Sequence, residues 1–266
     1  MPNGCYVYAI VDRRTPLPTN RVPEISTELT MVPWRELAAV TGTPRAEDST
    51  VTIDAVRRHE AVVEAVRRQG PALPVRFGTV FANASSVASA VAERYELLAA
   101  DLGRLGDKVE LSLTALWTTL PDGDEPAESP LGREAPGGRG AGARYLQGRA
   151  AEFRRGEALK ARARAVAREL DASLGGRALA RRVSFLPTQR IAVRATYLLD
   201  PAEVDNFKAA FEATLRTSDE VRTLLTGPWP PYSFVGRTET EGAAPAESRF
   251  AELAQLVTSA MRGRLG

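Results

Sequence analysis

Arg182-Val183-Ser184-Phe185-Leu186-Pro187-Thr188-Gln189-Arg190-Ile191-Ala192-Val193-Arg194-Ala195-Thr196-Tyr197-Leu198 decides the reading of the second half of this 266-residue chain. Two runs of strand-forming residues, 182–186 and 190–198, flank Pro187-Thr188-Gln189, which reads as a hairpin turn. Working outward, a long helix precedes the hairpin at about 144–174. Leu146, Ala150, Phe153, Leu159, Ala163, Val166 and Leu170 form its expected buried stripe, and Gly175-Gly176 ends it. After the hairpin, Asp200-Pro201 opens a second helix with Pro in its first position, and Val204, Phe207, Phe211 and Leu215 form the apolar face. Apolar strands at 108–119 and 220–225 close the series. The order is β, α, β, β, α, β, the split βαβ pattern of a modified ferredoxin-like domain. Its four-stranded antiparallel sheet carries both helices on one face.

Residues 121–143 hold four prolines and six glycines with no apolar period, and read as a flexible insertion. They do not read as a linker between domains, because the strand before them needs the partners that follow. The expected second domain is therefore 106–226, with the insertion inside it.

The first half reads as a separate α+β domain, 1–105, with a sandwich-like α/β arrangement. A strand is expected at 5–11. Two short strands at 28–32 and 36–41 are joined at Pro33-Trp34-Arg35. A helix over 51–69 has Ser49 or Thr50 as its cap and Ala55, His59, Val62 and Val66 as its apolar stripe. A strand at 73–81 and a helix capped by Ser85 or Ser86 and running to about 100 complete it, with a break at Gly103 and Gly106. A third segment, 227–266, starts Gly227-Pro228-Trp229-Pro230-Pro231-Tyr232-Ser233-Phe234. Its three prolines argue for an extended, polyproline-like tail presenting aromatic rings. A last amphipathic helix follows, with Phe250, Leu253, Leu256, Val257 and Met261 on its apolar side.

Composition narrows the function classes. Lys and Arg number 35 against 33 Asp and Glu, so no global field draws the chain to nucleic acid or anionic lipid. One cysteine, Cys5, and one histidine, His59, leave no disulfide framework within the chain and almost no basis for a zinc cluster. Neither a signal peptide nor a membrane-spanning apolar run is present, so the expectation is a cytoplasmic protein without metal or cofactor.

Several stretches together resemble one family. They are Tyr6-Val7-Tyr8-Ala9-Ile10, His59-Glu60 with Val62-Val63-Glu64, Leu73-Pro74-Val75-Arg76-Phe77-Gly78-Thr79-Val80-Phe81, Tyr145-Leu146, Ala195-Thr196-Tyr197-Leu198-Leu199-Asp200, and 227–234. They are similar to the gas vesicle protein F/L family of accessory proteins and follow its order. The resemblance implies two domains, the second modified ferredoxin-like with an extended tail. It implies a non-enzymatic role in vesicle assembly, at the gas vesicle or in the cytoplasm. The implied partners are the small hydrophobic shell protein, gas vesicle protein A, and other accessory proteins. No catalytic residue comes with it.

The candidate residues each carry two readings. His59 is a general base or pH switch, or a buried structural histidine on the helix stripe. Arg76 is paired internally with Glu60 or Glu64, or binds a partner together with Phe77. Trp229, Tyr232 and Phe234 anchor a partner or pin the tail to the chain itself. Residues 144–194 hold thirteen basic against four acidic residues, with Lys160, Arg164 and Arg168 in one row. That row favours a nucleic-acid alternative, but the strand from Ile191 lacks base-stacking aromatics. A ferredoxin-like enzyme or small-molecule sensor is the other alternative. It lacks a glycine-rich phosphate loop between strand and helix.

Overall fold

The computed structural model describes residues 4–18, 28–45, 51–118, 141–184, 190–214 and 221–236. The chain divides into two compact units: Met1–Glu110 with Pro228–Gly266, and Leu111–Gly227. The segment after 227 thus groups with the N-terminal unit. The insertion at 121–140, the turn at 187–189 and the terminal helix around Phe250 lie outside the described residues. Among the described residues the units hold two sheets and five α-helices.

The first unit is built on β1 (Cys5–Asp12), β2 (Thr30–Trp34), β3 (Leu37–Gly42), β4 (Ala72–Pro74) and β5 (Val80–Phe81). Its strands are ordered β2-β3-β1-β4, with β5 also on β1, and every pairing is antiparallel. β1 is central, which is why Tyr6 to Val11 reads as an unbroken apolar run and is buried throughout. The β2–β3 turn falls at Arg35-Glu36, later than the expected 33–35. Pro33 still pairs with Ala38, and Arg35 takes the positive φ of 51° that so tight a connection demands. Pro33 is tolerated because β2 is an edge strand.

α1 (Ile53–Arg67) is capped by Thr52, not by Ser49 or Thr50: the Ala55 N–H donates to Thr52 Oγ1 at 3.2 Å. Its buried stripe contains Ala55, His59, Val62 and Val66, as the spacing predicts. The expected strand at 73–81 is interrupted. β4 pairs with Ala9, Ile10 and Val11, β5 pairs with Cys5 and Tyr6, and residues 75–79 leave the ladder between them. Gly78 takes φ 78° in that excursion, a conformation its neighbours' Cβ atoms disfavour. The second helix is also two: α2 (Ala84–Glu93), capped by Asn83, breaks at Arg94, and α3 (Tyr95–Leu105) runs straight through Gly103.

The second unit has β6 (Val109–Trp117, its first two residues counted with the first unit), α4 (Ala141–Leu174), β7 (Ala180–Ser184), β8 (Ile191–Leu199), α5 (Val204–Thr214) and β9 (Val221–Trp229). Strand order is β7-β8-β6-β9. The hairpin pairing is antiparallel, from Ala180 opposite Leu198 to Ser184 opposite Arg194. Leu111, Leu113 and Ala115 from β6, Tyr197 and Leu199 from β8, Phe207 and Phe211 from α5, and Val166, Leu170 and Leu174 from α4 form the core. Pro201 opens a 3₁₀ turn whose Asp200 side chain accepts from the Ala202 N–H, and α5 follows.

Two expectations here need correction. β9 continues through Gly227-Pro228 to Trp229, so the proline segment begins as strand. An edge position makes this possible, since Pro228 has no N–H to lose there. The buried stripe of α4 covers only its second half. Ala163, Val166 and Leu170 are buried, whereas Leu146 is 66% and Phe153 71% exposed and Ala150 is exposed as well. At about 100° per residue, the line through Leu146, Ala150 and Phe153 lies roughly 130° around the helix from the packed line.

Candidate functional site at the clasped tail

The N-terminal unit holds the chain segment after β9 by three carboxylates from three elements. Glu110, 5% exposed at the start of β6, accepts the Ser233 N–H on Oε2 and the Ser233 hydroxyl on Oε1, both at 2.8 Å. Asp101 on α3 accepts the Gly236 N–H at 2.6 Å and an Arg104 Nη2–H at 2.7 Å. Glu60 on α1 faces the buried hydroxyl of Tyr232. Arg104 reaches the Phe234 carbonyl at 3.4 Å, and the Phe234 ring is 2% exposed. Hydrogen bonds to ionised groups are each worth roughly 1.5–3 kcal/mol.

Burial raises the Glu60 carboxyl to about 7; Glu64 and Glu110 add to the rise, while Tyr232 and Arg67 oppose it. Tyr232 is pushed well above its ordinary range, by burial first and by Glu60 next. Arg67 donates to the Lys108 carbonyl at 2.7 Å, fixing the end of α1 to the approach of β6.

His59 organises the opposite side of α1. Its Nε2 lies 2.9 Å from the Val75 carbonyl, which only accepts, so Nε2 carries the proton. Nδ1 is then the acceptor and takes the Tyr6 hydroxyl at 2.9 Å. The same hydroxyl oxygen accepts the Gly78 N–H at 2.9 Å. The 75–79 excursion is thereby tied at both ends to one neutral imidazole. Burial holds this histidine down to about 4, against the Val75 carbonyl, which favours the charged form. The structural reading of His59 is the one the geometry supports.

Of the five candidate residues, the structure gathers two around this ring. Phe77 stands edge-on to His59 at 5.8 Å, and Tyr232 lies 6.4 Å away on a tilted plane. Phe234 is buried with the tail. Trp229 keeps 40% of its surface exposed. Arg76 sits exposed in the excursion, and the expected ion pair is not formed, because Glu64 meets Arg68 at 3.4 Å and Glu60 faces Tyr232. Arg76 lies in the 75–79 excursion, outside the paired residues of β4 and β5. Asp101 and Glu110 were not singled out by sequence. The only signal was a carboxylate among the apolar residues of β6, which demands buried donors without naming them.

Glu110→Ala is expected to release the tail, exposing it to limited proteolysis near Ser233 and costing about 2–4 kcal/mol through two stranded donors. Glu110→Gln keeps one acceptor and should lose distinctly less. Equal protease resistance in wild type and Glu110→Ala would show that the clasp does not hold the tail.

The fold is that of a solved class of gas vesicle protein. The crystal structure of gas vesicle protein GvpF from Anabaena sp. is similar with a TM-score of 0.60 at 17% identity, covering 89% of this chain and 99% of that one. Gas vesicle protein L of a Streptomyces sp. is 29% identical over 208 residues, 74% of each chain. Gas vesicle protein F2 of Halobacterium salinarum is 25% identical over 235 residues, 86% of this chain and 91% of that one. The family model described as gas vesicle synthesis protein GvpL/GvpF matches residues 4–236. The chain belongs to this family, and its role lies in gas vesicle assembly.

Proposed function

We propose that the protein is a non-enzymatic accessory factor that binds the small hydrophobic shell protein, gas vesicle protein A, and limits its aggregation during nucleation. The family match across 4–236 carries the reading. The physical need is general: a subunit that polymerises into a gas-tight wall exposes apolar surface first, and such surface aggregates. This chain offers edges at β2, β7 and β9 to which an extended segment can add, and large exposed apolar side chains at Trp34, Val80 and Trp229. Other gas vesicle accessory proteins are its further partners.

The element order and the strand order β7-β8-β6-β9 support taking 106–226 as a modified ferredoxin-like domain beside an N-terminal domain at 1–105 and a tail at 227–266. A cleft lined by Val166, Leu170, Phe211 and Val221 encloses about 20 Å³, room for a water molecule and not for a metabolite. Among the described residues no helix is long and apolar enough to cross a membrane.

Shell protein co-expressed with the full chain is expected to co-purify with it. Light scattering from diluted shell protein should fall when the chain is added in equimolar amount. No capture and no suppression, with vesicles still forming after gene deletion, would overturn the reading.

A further inference from the structure

We propose that the face of α4 running from Leu146 through Ala150 and Phe153 to Arg164 is a docking surface for an acidic protein partner, one that offers an apolar groove bordered by carboxylates. The surface is distinct from the clasped tail and does not depend on the shell protein being the client.

Three observations carry it. First, Leu146 and Phe153 are the two most exposed of the large apolar side chains described, and with Ala150 they occupy positions i, i+4 and i+7 of one helix line. Second, that line is turned roughly 130° from the Ala163–Val166–Leu170 line that packs into the unit. It is therefore a second face, and not a frayed end of the core face. Continued along the helix, it runs onto Arg164 and Arg168, both exposed. Third, positions 146–164 hold six basic residues and two acidic ones. Both acids are already engaged within the helix, Glu152 with Arg149 at 3.3 Å and Glu157 with Lys160 at 2.9 Å. Arg154 and Arg155 form no ion pair with a carboxylate among the described residues, and Arg164 feels only the charge of Glu157, which Lys160 already holds. The missing counter-charges belong to whatever covers the face.

Length argues the same way. α4 has 34 residues, about three times the average helix, and only its second half is packed. A helix without an apolar face in contact gains little from propensity alone. An amphipathic helix standing clear of its own core has the form of a ligand for a groove, anchored at i, i+4 and i+7. Flanking arginines then select partners by charge and speed the encounter. A polyanion such as RNA would engage the guanidinium groups but would leave Leu146 and Phe153 uncovered.

The test uses the full chain and a panel of separately purified probes: the shell protein, each of the other gas vesicle proteins of the same host, and a 20-nucleotide single-stranded RNA. Two double variants are compared with wild type, Leu146→Gln with Phe153→Gln, and Arg154→Glu with Arg164→Glu. One acidic protein should bind wild type, lose at least about tenfold in affinity to each variant, and weaken with salt. Reversing that protein's groove carboxylates to lysine should restore binding to the Arg154→Glu, Arg164→Glu chain, a result that misfolding cannot mimic. The proposal is overturned if every protein probe binds both variants as it binds wild type. It is overturned equally if RNA is the probe whose binding is lost, or if the variants abolish only self-association. Shell-protein capture that survives both variants leaves the proposed function standing whichever way this test falls.

Discussion

Phe234→Ala should lower the unfolding free energy by about 3–5 kcal/mol, read as a shift of the urea midpoint at unchanged slope. The ring is 2% exposed and sits in a segment whose backbone is fixed at both sides by Glu110 and Asp101. Held backbone cannot collapse into the hole, so the cavity cost adds to the lost transfer energy. Trp229, five residues earlier and larger, is 40% exposed, so Trp229→Ala opens a dent that water can fill and should cost distinctly less than Phe234→Ala, about 1–2 kcal/mol. In the proposed function Phe234 holds the tail and the exposed part of Trp229 is a partner contact. Shell-protein capture is then expected to fall several-fold in Trp229→Ala, with a loss of stability smaller than that of Phe234→Ala. Comparable destabilisation by both variants would mean that Trp229 is structural too, and the partner role would have to move elsewhere.

Periodicity made much of this architecture legible. The β, α, β, β, α, β order of the second unit and the α1 stripe through His59 follow from apolar spacing, which local sequence carries. The errors cluster where tertiary context overrides a local pattern. Residues 73–81 have the composition of one strand, but Gly78 and the hydrogen bonds to Tyr6 and His59 lift 75–79 out of the ladder. Arg76 therefore points into solvent instead of toward α1. The prolines at 228–231 suggested a tail free from its first residue, but an edge strand accepts Pro228 without losing a bond. On α4, apolar residues on two different lines read as one stripe, although the six-residue step from Phe153 to Leu159 turns the face by about 120°. The clasp was the least legible part. Glu60, Asp101 and Glu110 come from separate elements and meet a segment more than a hundred residues away from each of them. Only folding brings them together.

The adjacent pair His59 and Glu60 should leave opposite marks on stability against pH. Glu60 rises to about 7 in the folded chain from an ordinary 4.5, mainly by burial. Between those values the folded state keeps a proton that the unfolded state has released, so stability falls as pH rises through the window. His59 drops to about 4 from 6.5, again by burial. Between those values the unfolded chain holds the extra proton, so stability rises with pH. The windows overlap from about 4.5 to 6.5, where the two slopes cancel and this pair contributes a flat profile. Removing either partner unmasks the other. Glu60→Gln should make the chain about 3 kcal/mol more stable at pH 6.5 than at pH 4, measured as the difference from wild type so that other groups drop out. His59→Gln should tilt the difference the other way by a similar amount, highest at or below about pH 4 and lost by about pH 6.5. The groups facing Glu60 are Tyr232, Glu64, Arg67 and Glu110; those facing His59 are the Val75 carbonyl and the Tyr6 hydroxyl. Difference profiles that stay level for both variants would show that neither group is buried in its neutral form. The carboxyl and the imidazole would then both be charged or both be wet, and the clasp as described, with Tyr232 sealed against Glu60, would not exist in solution.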